Sequence, residues 1–110
     1  MRARDEVEAA YFALLRARED LAELEHFREY LDDELRRIRR FMSEGAALED
    51  TVAQRFRRRL SHTDRPLTDA LRTRQRVIED ELERLPDRVT AASDYVADCE
   101  REHAELKQSR

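Results

Sequence analysis

Apolar residues recur along the first forty residues of this chain with the 3-4 spacing of a coiled-coil helix. From Val7 to Met42, eleven consecutive a and d positions of a heptad repeat hold ten apolar residues, and Arg28 is the exception. A seam sustained over five heptads indicates a helix that packs along its length against another helix. The pattern predicts a first helix at about residues 3–43. Gly45, the only glycine, suits the left-handed residue that follows a helix.

Two further helices are predicted in the rest of the chain. A short helix at residues 46–60 follows from four apolar residues spaced four apart: Leu48, Val52, Phe56 and Leu60. The polar segment 61–66 then predicts a loop, in which Thr63 or Asp64 would cap the next helix. Beyond this loop the 3-4 spacing resumes and predicts a third helix at about residues 67–107.

Pro86 lies inside the third predicted helix. The apolar spacing passes through it without a slip, and no capping residue stands directly before it. We therefore expect one helix, kinked where the ring displaces the hydrogen bond to the Leu82 carbonyl, and two helices separated at Pro86 are the alternative. The predicted fold is all-α and forms a single domain, residues 1–110. It is an antiparallel hairpin, or coiled coil, of two long helices with a short helix at its tip.

The distribution of charge adds a functional clue to this fold. The net charge of the whole chain is −4. Its central segment, residues 36–76, contains twelve arginines and five acids and therefore carries a net charge of +7. Residues 1–35 carry −6 and residues 77–110 carry −5. In an antiparallel hairpin both acidic segments would meet at the base and the basic segment would form the tip. Such a tip attracts phosphates or acidic protein surfaces.

The angular position of each arginine relative to the apolar face of its helix divides the arginines of the tip into two groups. The arginines that point away from the apolar faces are the expected partner contacts: Arg36, Arg40, Arg57 and Arg58. Three others border those faces and are expected to pair within the fold: Arg39, Arg55 and Arg59. A structural explanation competes with binding, because both clusters close a predicted helix, where cations favour the C-terminus.

Near the base, apolar residues occur off the seam. They are Tyr11, Phe12 and Leu15 on the first helix and Tyr95 on the third. Two helices alone cannot bury two faces, so this surplus predicts a homodimer that forms a four-helix bundle at the base. The alternative is that these are scattered surface residues of a monomer.

Candidate chemistry is sparse. Glu-x-x-His occurs twice, ending at His26 and His103, with the spacing used in dimetal carboxylate bundles. The antiparallel pairing would hold the two motifs far apart, however, so no metal site is expected. Cys99 and His103 are expected to serve as seam residues, and no catalytic triad or glycine-rich phosphate loop is present. We expect no enzyme activity, cofactor or small-molecule substrate.

The location and function follow from these observations. The longest uncharged run, Ala9–Leu15, is far shorter than the roughly 20 residues of a membrane span, so no membrane partner is expected. One cysteine and no visible signal peptide favour the cytoplasm. The sequence suggests a non-enzymatic adaptor that dimerises at its acidic base and docks an acidic partner at its arginine-rich tip. The alternative is a nucleic-acid-associated subunit that binds the phosphate backbone without sequence specificity.

Overall fold

Two long α-helices account for nearly all of the described chain. The computed structural model describes the backbone of residues 2–51 and 54–109, and the side chains of residues 3–48 and 56–109. Helix α1 spans Arg2–Thr51 and helix α2 spans Gln54–Gln108. No strand occurs among the described residues. Nor, in that part of the chain, does either helix have a stretch long and apolar enough to cross a membrane.

The chain divides into two compact units, and each contains parts of both helices. The terminal unit comprises Met1–Arg28 and Arg84–Arg110, and the central unit comprises Glu29–Glu83. In the terminal unit, Arg18 pairs with Glu100 at 3.3 Å. The helices of this unit run antiparallel, because the ring of Tyr11, earlier in α1, meets the ring of His103, later in α2.

The central unit has the same antiparallel arrangement. Residues 34–39 of α1 are joined to residues 74–79 of α2 by the Arg39–Glu79 and Arg74–Glu34 ion pairs, at 3.4 and 3.0 Å. Residues 41–48, later in α1, instead face residues 60–72, earlier in α2. The residue number therefore rises along α1 as it falls along the facing part of α2. The predicted all-α fold with two long antiparallel helices is confirmed.

The predicted seam is the buried surface. On α1 its buried members are Ala10, Leu14, Ala17, Leu31, Leu35 and Ile38, and on α2 they are Ile78, Leu85, Val96 and Cys99. In the terminal unit, one buried cluster consists of Leu14 and Ala17 of α1 and Val96 and Cys99 of α2. Leu21 packs against this cluster. Leu85 is the most deeply buried side chain, with 0% exposure. Burial at 3-4 spacing is the result expected of helices that pack along a heptad seam.

The predicted division into three helices is wrong in two places. Gly45 lies inside α1, and no described residue has a positive φ. The expected loop at residues 61–66 lies inside α2. Of the predicted short helix at 46–60, the described residues belong to the end of α1 and the start of α2. The Thr63 hydroxyl donates to the Arg59 carbonyl at 2.6 Å, one turn back, rather than capping a new helix. A new helix start would leave four backbone N–H groups unpaired, whereas continuation adds a hydrogen bond at nearly every residue.

Helix α2 also continues through Pro86, as the unbroken apolar spacing predicted. Pro86 itself is exposed, and Leu85 beside it is fully buried. Burial of the seam on both sides of the proline therefore keeps the helix in register, although the ring removes one backbone donor.

Candidate interaction surface of the central unit

The basic segment 36–76 lies wholly inside the central unit. This unit also contains acids at residues 29–34 and 79–83, and the Arg39–Glu79 and Arg74–Glu34 ion pairs join these acids to the basic segment. The central unit therefore contains both an acidic part, residues 29–34 and 79–83, and a basic part, the segment 36–76. The arginines between residues 55 and 72 are the part of the segment furthest along the chain from these acids.

Helix electrostatics do not explain the arginine cluster. Arg55, Arg57, Arg58 and Arg59 fall within the first six residues of α2, and the first turn of α2 holds no acid. The N-terminus of a helix carries partial positive charge, so cations there are unfavourable. Nor does the group Arg36–Arg40 close a helix, because α1 continues to Thr51 and has no base in its last turn. The interpretation of these arginines as complements to helix C-termini is therefore wrong.

An open groove separates the two helices of the central unit beyond its buried seam. Its volume is about 490 Å³. Small or polar residues stand where the seam would need large apolar ones: Gly45 and Ala46 on α1, and Asp64 and Thr68 on α2. A Cβ atom built on Gly45 would meet no atom within 4 Å. The groove is therefore a direct result of side-chain size along the facing helices.

The groove exposes large apolar side chains. Phe41 is 54% exposed, Leu48 57% and Leu67 47%, and all three line the groove. Met42 and Leu60 contribute half-buried apolar surface between them. Contiguous exposed apolar surface that is rimmed by polar residues is typical of an interaction site.

A row of arginines follows one side of this groove. Arg58, Arg65 and Arg72 are spaced seven residues apart on α2 and therefore lie on one face of the helix, over about 21 Å; we call them the arginine row. Arg72 lines the groove itself. Arg65 shares a neighbouring depression with Arg72, and Arg58 shares a further one with Arg65.

The arginine row differs from Arg39 and Arg74, which make ion pairs across the two helices of the central unit. Within residues 3–48 and 56–109, no hydrogen bond or ion pair involves the side chains of the row. The row therefore offers guanidinium groups that can pair with carboxylates or phosphates of another molecule.

The four arginines predicted as partner contacts are all exposed. Arg57 and Arg58 line one depression on α2 together with His62. Arg36 and Arg40 lie one turn apart on α1, and Arg36 makes an exposed 3.8 Å ion pair with Asp33. Such an exposed pair is weak and can be exchanged for a partner's carboxylate.

The three arginines predicted to pair within the fold have different outcomes. Arg39 does so, through Glu79. The Arg59 side chain makes no hydrogen bond or ion pair among the described residues, so the predicted pairing is not found for it, and the Arg55 side chain lies outside the described residues. Sequence reasoning did not identify the importance of Arg65 and Arg72, although their seven-residue spacing from Arg58 was a usable signal.

The residues predicted to form a dimer interface lie on both helices of the terminal unit. Tyr11 contacts Phe12 edge to face, with 5.8 Å between ring centroids, and Leu15 beside them is half-buried. Arg18, seven residues after Tyr11, shares its face and pairs with Glu100. Tyr95 lies on α2, five residues before Glu100, where the charge of Arg16 on α1 acts on its hydroxyl.

Tyr95 has a distinct local environment. It is 57% exposed, and a hydrogen bond with the Cys99 side chain, one turn away, raises the pKa of its hydroxyl above the ordinary value of 10.0. The nearby charge of Glu102 acts in the same direction, whereas Arg16 opposes it. Because an unshifted tyrosine is already neutral at physiological pH, the raised pKa does not change the charge of Tyr95 there.

The two Glu-x-x-His motifs are separate features of the terminal unit. His26 is exposed, whereas His103 is half-buried and its ring centroid lies 5.6 Å from that of Tyr11. No group of three or more potential metal ligands occurs in the part of the chain that the structure describes. His103 is thus part of an aromatic contact between the helices.

Comparison of this chain with protein-family models, with curated proteins and with solved structures found no match.

Proposed function

We propose that this protein is a helical interaction module that docks an acidic partner on the arginines of its central unit. The observation that carries this proposal is the arginine cluster at the start of α2, where helix electrostatics oppose it. Cations at the N-terminus of a helix are unfavourable. The side chains of Arg58, Arg65 and Arg72 make no hydrogen bond or ion pair among the described residues, and an acidic partner would neutralise them.

A binding experiment with defined probes tests this proposal. The central-unit variant reverses Arg36, Arg40, Arg57 and Arg58 to glutamate. Its control reverses four exposed cations of the terminal unit: Arg4, Arg16, Arg101 and Lys107. Both variants have the same net charge, so a difference between them reports position and not total charge. The first probe is a labelled peptide of glutamate and serine, measured by fluorescence polarisation at about 50 and 200 mM salt.

We expect the parent and the terminal-unit variant to bind the acidic peptide, more tightly at low salt. The central-unit variant should lose this binding, because the four guanidinium groups are replaced by repelling carboxylates. Circular dichroism should show the same helix content in all three proteins. Equal binding by both variants, or no binding by the parent, would reject an acidic partner at this surface.

The second candidate is binding of a nucleic-acid backbone. One observation favours it: Arg57, Arg58, Ser61, His62 and Arg65 line a single depression of about 390 Å³ on α2. Hydroxyl and guanidinium donors suit phosphate oxygens. A nonspecific duplex and a single strand are therefore included as probes at both salt concentrations. Binding of either that is tighter than that of the acidic peptide, and steeply salt-dependent, would rank this candidate first.

We propose further that the module dimerises through Tyr11, Phe12, Leu15 and Tyr95. The exposure of Phe12, at 60%, supports this. We expect the double variant Phe12→Glu and Leu15→Glu to have about half the parent mass by light scattering, because charges cannot be buried between subunits without partners. The double variant His26→Glu and Phe27→Glu is the control. A parent mass equal to that of the Phe12 and Leu15 variant would reject the dimer.

A further inference from the structure

We propose that the groove of the central unit binds one amphipathic helix of a partner protein, whose acidic residues, repeated every seven positions, face the arginine row. This inference rests on the proposed function and specifies the partner. It combines two adjoining features, the apolar groove and the regular spacing of Arg58, Arg65 and Arg72.

The dimensions of the groove fit a helix. Its α2 wall extends from Leu60 to Arg72, about 18 Å along the axis, which equals three to four turns of a docked helix. Its volume of about 490 Å³ is within the common range for binding pockets. A helix laid between α1 and α2 would cover Phe41, Leu48 and Leu67 and complete a three-helix bundle in a region where the two helices alone leave the seam open.

The chemistry of the lining favours a protein helix over a nucleic acid. The exposed walls are mainly aliphatic and match apolar side chains repeated every three to four residues. Glu44 and Asp64 also line the groove, and their carboxylates would repel a phosphate backbone. A partner helix avoids this repulsion if only its flank towards the arginine row is acidic.

A second copy of this chain fits the groove less well. The segment 36–76 of the second copy carries +7 and would bring like charges together. Its terminal segments are acidic, but their apolar seam is already buried around Leu14, Ala17, Val96 and Cys99, and their exposed Tyr11 and Phe12 are the proposed dimer contacts of the terminal unit. Charge complementarity therefore indicates a different, acidic chain.

Three labelled peptides of roughly 21 residues, which is three heptads, test the inference. The first has leucine at positions a and d, glutamate at position e and glutamine at position g, so that only one flank is acidic. The second has lysine in place of every glutamate. The third keeps the glutamates but has glutamine in place of every leucine, so that it is acidic without an apolar face. Binding to the parent is measured by fluorescence polarisation at about 150 mM salt.

Two kinds of variant separate the groove from the charge. Gly45→Leu places an apolar side chain in the groove, where a Cβ atom meets nothing within 4 Å, and leaves every charge unchanged. Gly45→Ala is its matched control, and Ala46→Leu is a second groove-filling variant. Arg65→Glu combined with Arg72→Glu reverses two charges of the row. Helix content and melting temperature verify that each variant is folded.

We expect the parent to bind the first peptide at least about tenfold more tightly than either of the others. Gly45→Leu should weaken this binding about tenfold or more, and the reversed arginines should weaken it by a similar factor, whereas Gly45→Ala should change it less than about twofold. A parent that binds the first and third peptides equally, together with full binding by Gly45→Leu and Ala46→Leu, would overturn the groove inference. The proposed acidic partner would still stand.

Two other results would also overturn the inference. If the first and second peptides bind equally, the groove is apolar without selecting acidic helices, and the proposed function fails as well. If the peptide-free parent is a dimer by light scattering and Gly45→Leu alone makes it monomeric, the occupant is a second copy of the chain.

Discussion

Replacing Gly45 by alanine should stabilise this protein. Glycine costs about 0.8–1 kcal/mol relative to alanine inside a helix, because the unfolded glycine backbone has more freedom to lose. Gly45 has no positive φ, and a Cβ atom there meets no atom within 4 Å. The methyl group therefore causes no strain and gains little contact, so the expected increase in the free energy of unfolding is about 1 kcal/mol. For a chain of this size, that corresponds to a rise in melting temperature of about 4 °C.

The sign of this effect separates two structures. If Gly45 were a left-handed residue that follows the end of a helix, alanine would be strained there and would destabilise the protein by about 1 kcal/mol. Urea denaturation and thermal melting, both followed by circular dichroism at 222 nm, measure the difference. Ala46→Gly is the matched control at the next position and should lower stability by about 1 kcal/mol. A destabilising Gly45→Ala would refute the continuous α1.

Further predictions concern α2. Pro86→Ala should raise the free energy of unfolding by about 1–3 kcal/mol, because a backbone donor returns to an exposed position in the helix interior; a loss on urea denaturation would contradict a helix that continues there. Leu85→Ala should lower it by about 3–5 kcal/mol, since the side chain is fully buried, whereas exposed Val77→Ala should change it by less than about 0.5 kcal/mol. In an absorbance titration at 295 nm, Tyr95 should ionise above its ordinary pKa, and Cys99→Ala should lower this pKa because the hydrogen bond that favours the neutral phenol is lost. An unchanged titration in Cys99→Ala would assign the pKa shift to another cause. Because this pKa is raised in the folded protein, its contribution to stability is present below the unfolded pKa and is lost as the pH rises through the folded one.

The apolar spacing of the sequence was enough to predict the pairing of the helices. Leu14, Leu31 and Ile38 on α1 and Val96 on α2 belong to the seams found from the 3-4 pattern, and all four are buried. The same spacing correctly predicted that the helix continues through Pro86. Helix phase also turned Arg39 towards the other helix, where it pairs with Glu79. These features depend on helix geometry, which is a local property.

The candidate site was only partly accessible to sequence reasoning. The arginine-rich segment 36–76 was evident from charge alone. The groove beside it was not, because it depends on which small residues of the two helices face each other, such as Gly45 and Thr68. The arginine row was missed because a loop was predicted at residues 61–66. A loop between Arg58 and Arg72 would have removed any common helical face.

What the sequence by itself determined is the all-α class, the buried seam and the position of the basic segment, since these follow from composition and local periodicity. Only the tertiary structure decided where the helices end and that a groove lies between α1 and α2 in the central unit. A glycine or a Thr-Asp-Arg-Pro segment is compatible with both a cap and a continuous helix. The choice between them depends on competition between local capping and hydrogen bonds of the whole helix. That competition placed Gly45 and Pro66 inside helices. It also left a groove between α1 and α2, because the small side chains there cannot fill the space between two antiparallel helices.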